Sequence, residues 1–364
     1  MQNISTIPPT SSRRMLAEWE EQSAILLAFP HKNSDWEYCI DEIRECFCRI
    51  IALIIQFEPV LICVDTRDKD GLLLLYDRFA NTKAESIELS PYTSIQLAKD
   101  ITLAFVPTND VWARDFGAIS VESKPHTLYL LDFVFNGWGL KFAANFDNQI
   151  TKKLHEMQLL QGTLESLPFV LEGGSIDTDG CGSLLTTSAC LLESNRNQTL
   201  NKRDIEQMLC TTLGVSRVLW LDFGYLEGDD TDSHIDMLAR FVAKDTIAYI
   251  GCDDKNDIHY EPLRAMEQQL QSFRDVQDNP YKLIRLPFVR TIYDENGARL
   301  PASYANFLFV NGALLVPTYN DPNDTLALKL LAQALPHLKV LGVDARDLIK
   351  WHGSLHCISM QLYK

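Results

Sequence analysis

The chain has 364 residues, of which 46% are hydrophobic and 23% charged, proportions typical of a folded globular protein and not of an extended disordered one. Its 49 acidic and 33 basic side chains give a formal charge of −16, which disfavours unspecific binding to nucleic acid or to an anionic membrane. The most apolar run, 50–55, is far shorter than the roughly 20 residues of a membrane span. Small cations are the partners that this charge favours.

Cysteine usage and the N-terminal segment indicate a location in the cytoplasm. The nine cysteines are an odd number and form no CxxC pair, so we expect reduced thiols. Residues 1–14 are polar, contain two prolines and two arginines, and lack the apolar stretch of a signal peptide. We therefore expect a cytoplasmic protein that engages neither nucleic acid nor membrane.

Short apolar runs and longer periodic runs alternate along the chain. The runs predict strands over 25–29, 60–64, 101–106, 127–133, 218–223, 247–250, 307–316 and 355–360. Helices are predicted over 36–57, 145–160, 202–213, 260–273 and 325–334. Because Asp179-Gly180 and Asn311-Gly312 also predict hairpins and no linker interrupts the chain, we expect one mixed α/β domain over 1–364.

Asp115 lies in the polar segment 109–117, which follows the third predicted strand, together with Trp112 and Arg114. In one interpretation, Arg114 closes an ordinary surface turn with a salt bridge. In the other, the Asp115 carboxylate binds a planar cation and the Trp112 ring forms a wall of the pocket. The segment alone leaves both open.

Glu172 opens the segment 171–180, where two glycines allow a ligand or another backbone to approach closely. The segment lacks the GK[ST] ending of a phosphate-binding loop, and it lacks the downstream glutamate of a calcium loop. A hairpin with Glu172 directed into a cleft is favoured. The alternative is that Glu172 binds a nearby backbone amide.

His234 and Asp236 are two residues apart, so in a strand they would lie on the same face. The neighbouring carboxylates should favour the charged form of the imidazole, which suits a group that gives and takes protons. A solvated acidic turn with an incidental histidine is one alternative. A metal site completed by distant residues is another.

Cys357 follows a Gly-Ser turn near the C-terminus, whereas the other eight cysteines lie in apolar or helical surroundings. A free cysteine is usually a small buried hydrophobe, but the turn and the nearby histidines favour an accessible thiol of lowered pKa. His356 is an unfavourable partner for it, because adjacent residues of a strand point to opposite faces.

Several segments, taken in order, match one family nearly from end to end. They are 14–20 (RMLAEWE), 29–30 (FP), 35–36 (DW), 112–115 (WARD), 172–175 (EGGS), 195–197 (NRN), 234–236 (HID), 303–307 (SYANF) and 356–357 (HC). The chain thereby resembles the agmatine deiminase family of the guanidine-modifying pentein superfamily. The order of the matches is more specific than any single one.

The resemblance implies a five-bladed α/β propeller with pseudo-fivefold symmetry around a central active-site cleft. It implies hydrolysis of agmatine to N-carbamoylputrescine and ammonia in putrescine biosynthesis, through an amidino-thioether on Cys357, without metal or cofactor and in a homo-oligomer. His234 would be the acid and base. The acids that would bind the guanidinium are Asp115, Glu172 and Asp236, and the other expected contributors to the substrate site are Trp36, Trp112 and Arg114.

The chain departs from the family pattern at Ser233, which replaces a glycine before the histidine, and at His352 and Ser354, where the family has a run of glycines. We expect both loops to adopt negative φ angles and a new shape, with the chemistry retained.

Three rival functions remain open. Deimination of arginine or peptidylarginine would require a basic clamp for a carboxylate, whereas Trp36, Trp112 and the acids at 229, 230 and 232 favour the far amine of agmatine. A non-catalytic guanidinium-binding protein would not need the retained Cys357 and His234. A metallohydrolase would use His234 and Asp236 as ligands.

Overall fold

The computed structural model describes residues 13–80, 90–123 and 127–364. Within these ranges the strands form five sheets of three to five strands and one separate two-stranded hairpin. Helices occur between the strands along the whole described chain, which confirms the predicted α/β class.

The largest sheet joins both ends of the described chain. From edge to edge it contains β20 (Ser359–Tyr363), β2 (Gln22–Ala28), β3 (Val60–Val64), β5 (Ile101–Phe105) and β4 (Ser94–Ala98). The next sheet along the chain contains β1 (Arg13–Met15), β6 (Ile119–Ser123), β7 (Thr127–Val134) and β8 (Thr163–Val170).

The other three sheets have three strands each. The first contains β11 (Arg217–Leu221), β10 (Ser183–Thr187) and β9 (Ile176–Thr178). The second contains β12 (Ala239–Ala243), β13 (Thr246–Ile250) and β14 (Lys282–Leu286). The third contains β17 (Leu308–Val310), β18 (Ala313–Thr318) and β19 (Lys339–Asp344), and the separate hairpin consists of β15 (Ile292–Tyr293) and β16 (Arg299–Leu300).

The helices differ widely in length. The longer ones are α1 (Ile40–Ile54), α2 (Lys69–Phe79), α5 (Ile150–Glu156), α8 (Lys202–Leu213), α9 (Tyr260–Ser272) and α10 (Asp324–Ala334). Single turns form α3 (Ala113–Phe116), α4 (Gly137–Leu140), α6 (Ser188–Leu191) and α7 (Ser194–Asn197). Short 3-10 helices lie at Asp35–Cys39, Asp147–Gln149, Gly173–Ser175, Ile235–Met237 and Ile349–Trp351.

The five sheets share one local topology. In each, one central strand pairs antiparallel with the neighbour on one side. The chain continues from that central strand through a helix into the strand on its other side, which is parallel to it. A parallel pair needs such a crossover because its strands cannot be joined by a tight turn. The crossover helices are α1, α5, α8, α9 and α10. The described chain therefore repeats one structural unit five times without a repeat in sequence.

Several predicted elements are confirmed and others are wrong. The strand at 60–64 and the helix at 202–213 have the predicted bounds, and the glycine turns at Asp179-Gly180 and Asn311-Gly312 both close antiparallel pairs. The predicted strand 307–316 is thus two strands. The predicted strand 355–360 is wrong, because residues 355–358 form a turn and β20 begins only at Ser359. Helix α2 was not predicted.

The core is apolar and continuous through most of the described chain. One cluster of buried side chains runs from Ile25 to Leu362, and a second fills the space between the sheet of β6–β8 and that of β9–β11. None of the helices in residues 13–80, 90–123 and 127–364 has the length and apolarity that crossing a bilayer would take.

Glu58, a buried carboxyl before β3, should make stability depend on pH. Its two oxygens accept hydrogen bonds from N and Nδ2 of Asn311 at 3.0 and 3.1 Å, yet burial raises its pKa to about 7. Because this pKa lies above the unfolded value, the folded protein binds the proton more tightly, and its stability falls as pH rises from about 4.5 to 7. We expect the ionisation of Glu58 to lower the free energy of unfolding by roughly 3 kcal/mol across that range.

Urea unfolding between pH 5 and 8 measures this effect. Glu58→Gln keeps the size of the side chain and cannot ionise. The unfolding free energy of the variant, relative to that of the parent, should therefore increase as pH rises. A difference that stays constant over the range would contradict the prediction.

Candidate active site

A cleft with about 510 Å³ of empty space lies among the connections between the sheets. Six aspartates line it, namely Asp35, Asp110, Asp115, Asp229, Asp230 and Asp236. Aromatic rings form much of the remaining wall, namely Trp112, Trp138, Phe142 and Trp351. Among the described residues, no lysine or arginine lines the cleft. The cavity is therefore suited to a small cation with an apolar body.

All five connections that lead from one sheet to the next contribute a residue that lines this cleft or contacts its lining. The contributors, in chain order, are Asp115 after β5, Gly174 after β8, His234 and Asp236 before β12, Asn306 before β17 and Cys357 before β20. Each connection enters the antiparallel pair of a repeated unit. The repeated topology thus brings together side chains that are more than 240 residues apart.

Asp115 is buried in the single turn α3, and both of its oxygens are held. Trp138 Nε1 donates to Oδ2 at 2.8 Å, and the Gly174 amide donates to Oδ1 at 2.9 Å. Burial raises the pKa of Asp115 well above its usual value, and the negative charges of Asp236 and Glu172 add to this increase. A cation bound beside Asp115 would reverse the increase.

Gly174 is the point around which three of these side chains converge. A Cβ at this position would lie 2.7 Å from His234 Nδ1, 2.8 Å from Asp115 Oδ1 and 3.0 Å from Asp236 Oδ2. Because real Cβ atoms do not approach other atoms so closely, only glycine fits here. The glycine pair in the segment 171–180 therefore permits close approach, as predicted.

Asp236, 0% exposed, lies in the 3-10 helix before β12. Its Oδ2 is 2.7 Å from His356 Nδ1 and 3.6 Å from Cys357 Sγ, whereas its Oδ1 is buried and has no hydrogen-bond partner among the described residues. Burial acts to raise the pKa of Asp236, but the hydrogen bond and charge of His356 and the charge of His234 lower it overall. The carboxylate thus keeps one oxygen unused in a residue that lines the cleft.

His234 precedes the same 3-10 helix and not a strand, so the shared face that a strand would give His234 and Asp236 does not arise. Its Nδ1 lies 3.7 Å from Asp115 Oδ1, and its Nε2 is buried and finds no hydrogen-bond partner in the part of the chain that the structure describes. Burial lowers the pKa of His234 to about 3, although Asp236 raises it. The prediction of a favoured charged form is wrong, because the loss of hydration outweighs the neighbouring carboxylate.

Cys357 lies in the turn before β20 and lines the cleft. Its Sγ is 3.1 Å from Asn306 Nδ2 and 4.0 Å from Met237 Sδ. Burial raises the pKa of the thiol well above its usual value, and the charges of Asp236 and Asp115 raise it further. These effects favour the thiol over the thiolate, contrary to the lowered pKa expected from the sequence.

Asn306 was quoted within a family segment but not predicted as a site residue. Its Oδ1 accepts from the backbone amides of His356 and Cys357 at 3.0 and 3.3 Å, while Nδ2 faces the Cys357 sulfur. It therefore shapes the turn that carries the cysteine and offers that sulfur a donor. A buried asparagine beside Ser303-Tyr304 had no distinguishing pattern in the sequence.

Glu172, 0% exposed, does not line the cleft. Both of its oxygens accept from Arg196 Nε, at 2.9 and 3.0 Å. Arg196 also binds Asp232 at 2.7 Å and the carbonyl of Thr231 at 2.9 Å. Glu172 thus holds Arg196, which in turn binds the loop that precedes His234. The predicted contact of Glu172 with substrate is corrected to an indirect role.

Arg114 and Trp36 also lie outside the cleft lining, in contrast to the prediction. Arg114 is buried and binds Glu18, at 3.2 Å, and Gln361. Trp36 donates to Asp110 Oδ1 at 2.8 Å and packs behind Trp112, with ring centroids 5.9 Å apart. Both support the walls of the site and do not reach its interior.

The loops that depart from the family pattern keep the conformation that favours glycine. Ser233 has a φ of 66° and His352 a φ of 67°, so the expected negative angles are wrong. The Asp229 carboxylate holds the first loop, because Oδ2 accepts from the Ser233 amide at 2.6 Å. His352 Nδ1 lies 2.5 Å from the carbonyl of Gly228, which joins the two loops. These contacts offset the strain of non-glycine residues.

A possible metal-binding cluster behind the cleft differs from the one considered from the sequence. Ligand atoms of Glu172, Cys190 and His234 lie within 4.8 Å of one another, and Asp236 is not among them. The guanidinium of Arg196 already occupies both oxygens of Glu172. A divalent cation at this position would be repelled by that charge, so the cluster is unsuited to a metal.

Comparison with known proteins places this cleft in a wider context. A relative from Legionella pneumophila, provisionally named an agmatine deiminase, is 32% identical over 362 residues, 99% of this chain and 97% of its own. A crystal structure provisionally named a peptidyl-arginine deiminase is 52% identical with a TM-score of 0.89, covering 97% of this chain and 99% of that one.

Two further structures extend the comparison. A cysteine-to-serine variant of agmatine deiminase from C. jejuni, with substrate bound, is 38% identical with a TM-score of 0.86 and coverage of 97% and 96%. An amidinotransferase from Microseira wollei is 11% identical with a TM-score of 0.52 over 97% of both chains, which shows a shared fold alone. The family model for Porphyromonas-type peptidyl-arginine deiminases matches residues 14–362. This chain therefore belongs to the Porphyromonas-type peptidyl-arginine deiminase family, which confirms the resemblance drawn from its motifs.

Proposed function

We propose that this protein hydrolyses agmatine and water to N-carbamoylputrescine and ammonia. The observation that carries the proposal is the convergence of Asp115, Asp236, His234 and Cys357 in one cleft lined by aspartates. Two carboxylates can bind a planar cation, a thiol can attack its carbon, and an imidazole can move protons.

The guanidinium would bind between Asp115 and Asp236. The unpartnered Oδ1 of Asp236 supports this position, because a buried carboxylate oxygen without a donor is costly until a ligand supplies one. Each Asp115 oxygen accepts one hydrogen bond and retains a second lone pair. Paired N–H donors of the substrate would fix the plane of the guanidinium and expose its carbon toward the Cys357 sulfur.

Substrate binding would itself activate the nucleophile. The charges of Asp236 and Asp115 raise the pKa of Cys357, and a bound cation cancels them. His234 is neutral near pH 7 because burial lowers its pKa to about 3, so it does not supply that positive charge. The positive charge that lowers the pKa of Cys357 would therefore come from the substrate and not from His234.

The reaction then divides into two steps that share one imidazole. His234 takes the thiol proton as Sγ bonds to the guanidinium carbon, and it returns the proton to the departing nitrogen, so that ammonia leaves and an amidino-thioether remains. A water molecule replaces ammonia, gives a proton to His234 and attacks the same carbon. Cleavage of the C–S bond releases the ureido product as His234 returns its proton to the sulfur, and the hydroxyl proton is lost to solvent, where it converts the ammonia to ammonium.

Two further aspartates of the cleft support agmatine over arginine. Asp35 and Asp230 line the cleft, and neither side chain makes a hydrogen bond through its carboxylate to another described residue. A primary ammonium would be attracted there, whereas the carboxylate of arginine would be repelled. The Asp232 carboxylate is occupied by Lys141 and Arg196, and it does not line the cleft.

We also infer that the five repeated units are blades of a single-domain propeller around this cleft. The common topology of the sheets and the meeting of residues from all five connections at the cleft or against its lining support this arrangement. A cytoplasmic homo-oligomer that serves putrescine synthesis is part of the same proposal, on the resemblance described above.

Incubation of the purified protein with agmatine, arginine and a peptidyl-arginine tests the proposal. Ammonia and the ureido product are quantified, and we expect kcat/KM for agmatine to exceed that for arginine by about 100-fold or more. Asp230→Asn should reduce this preference about tenfold, since it removes a charged partner of the far amine. Equal use of arginine, or no ammonia from any of the three compounds, would refute the proposal.

A further inference from the structure

His356 is a buried histidine that the mechanism above does not use. It is 0% exposed, does not line the cleft, and lies between two carboxylates. Nδ1 is 2.7 Å from Asp236 Oδ2, and Nε2 is 2.7 Å from Glu18 Oε1. The prediction that His356 would point away from Cys357 rested on a strand at this position, and the turn places both residues against Asp236 instead.

The contact with His356 divides the Asp236 carboxylate into two unlike oxygens. Oδ2 is occupied by the imidazole, whereas Oδ1 is buried without a partner. Rotation of the carboxylate by half a turn would exchange the two oxygens, and the bond to His356 opposes that rotation. The unused oxygen therefore keeps a defined direction before any ligand arrives.

His356 is itself held on several sides. Asn306 Oδ1 accepts from its backbone amide at 3.0 Å. Its partner Glu18 is bound by the guanidinium of Arg240, by Arg114 at 3.2 Å and by Gln361 Nε2 at 3.1 Å. Glu18 and His356 thus support Asp236 from outside the cleft lining, and a displacement of Glu18 would be transmitted through the imidazole to Asp236.

We propose that His356 is a positioning residue which, supported by Glu18, holds one oxygen of Asp236 so that the other is ready to receive the guanidinium. The proposal rests on the proposed function, because it takes Asp236 as a binder of that cation. It assigns to Glu18 and His356 an effect on substrate binding without contact with the substrate.

The charges around the pair set the sign of the expected pH effect. Glu18, Arg114 and Arg240 face His356 from one side and Asp236 from the other, and Asp236 also faces His234 and Asp115. The hydrogen bond from His356 lowers the pKa of Asp236. Without it the pKa of Asp236 rises, the carboxylate is protonated up to a higher pH, and a cation binds less tightly on the acidic side.

Calorimetric titration of agmatine into inactive protein tests the proposal directly. In a Cys357→Ser background, the added change His356→Asn should weaken agmatine binding about 10- to 100-fold, with a greater loss at pH 6 than at pH 8. In the otherwise native enzyme, KM should rise by a similar factor and the acidic limb of kcat/KM should move to higher pH. Glu18→Gln should shift both quantities in the same direction by a smaller factor.

His31→Asn is the matched control. His31 is likewise buried beside an aspartate, with Nε2 3.9 Å from Asp65 Oδ2, and it does not line the cleft. Any general loosening of the fold affects this variant too, without moving the pH dependence of agmatine binding. Glu18→Gln keeps the test available if His356→Asn fails to fold.

The outcomes separate the two proposals. Suppose that the native enzyme hydrolyses agmatine, but that His356→Asn and Glu18→Gln bind it as the His31→Asn protein does, or lose kcat with unchanged affinity. His356 then has no positioning role. If the native enzyme releases no ammonia from agmatine, the proposed function fails first.

Discussion

Replacing Cys357 by serine is expected to reduce kcat for agmatine at least about 10⁴-fold. A hydroxyl is far less acidic than a thiol, and the two nearby carboxylates already oppose ionisation at this position. Binding should persist, because the proposed contacts to the guanidinium come from Asp115 and Asp236. Ammonia release measures the loss, and calorimetry with agmatine measures the binding that remains.

Cys181→Ser is the control for this substitution, since Cys181 is exposed and far from the cleft lining. It should leave kcat within about twofold of the parent, as expected for a surface change. Mass spectrometry of the parent during turnover should show an amidino adduct on the peptide that contains Cys357. Turnover by Cys357→Ser near the parental rate, or an adduct on another cysteine, would reject the nucleophile assignment.

Replacing His234 by asparagine should lower kcat about 10²- to 10⁴-fold while KM changes less than about tenfold. The imidazole moves protons in both steps, so its loss slows both. It is neutral when the substrate binds, because burial lowers its pKa to about 3, and its removal takes no charge from the cation-binding site. Steady-state kinetics with agmatine separates the two parameters.

Asp115→Asn provides the contrasting case, because it removes a charge that the guanidinium would contact. There KM should rise by about tenfold or more, in line with the value of a charge-assisted hydrogen bond. The assignment of His234 as a proton carrier would be lost if its variant showed a raised KM with unchanged kcat. The two substitutions together therefore distinguish proton transfer from cation binding.

The sequence predicted the parts of the fold that depend on local patterns. Helix α8 begins at the capping residue Asn201 and ends before Gly214, which has a φ of 70°, and both signals are visible in the sequence. The hairpin at Asn311-Gly312 was likewise predicted from its two turn residues. Edge strands such as β8, with polar residues and Pro168, carried no such signal and were not predicted.

The site was predicted less evenly. Cys357, His234, Asp115 and Asp236 do line one cleft, while their chemical roles stay predictions. Trp138 and Asn306 were not predicted, because their importance lies in one hydrogen bond each to Asp115 and to the cysteine, and no spacing reveals it. Arg114 and Glu172 carry the right charges for a site but bind other side chains of the protein.

The sequence by itself determined which residue types are available, because composition and short spacing are local properties. It showed an acidic chain, one cysteine after a turn of small residues, and a histidine among aspartates. Only the tertiary structure decided which of them face the cleft and in which protonation state. Burial is a property of the assembled chain, and loss of hydration lowers the pKa of His234 and raises that of Cys357 against the trend expected from their neighbours in sequence.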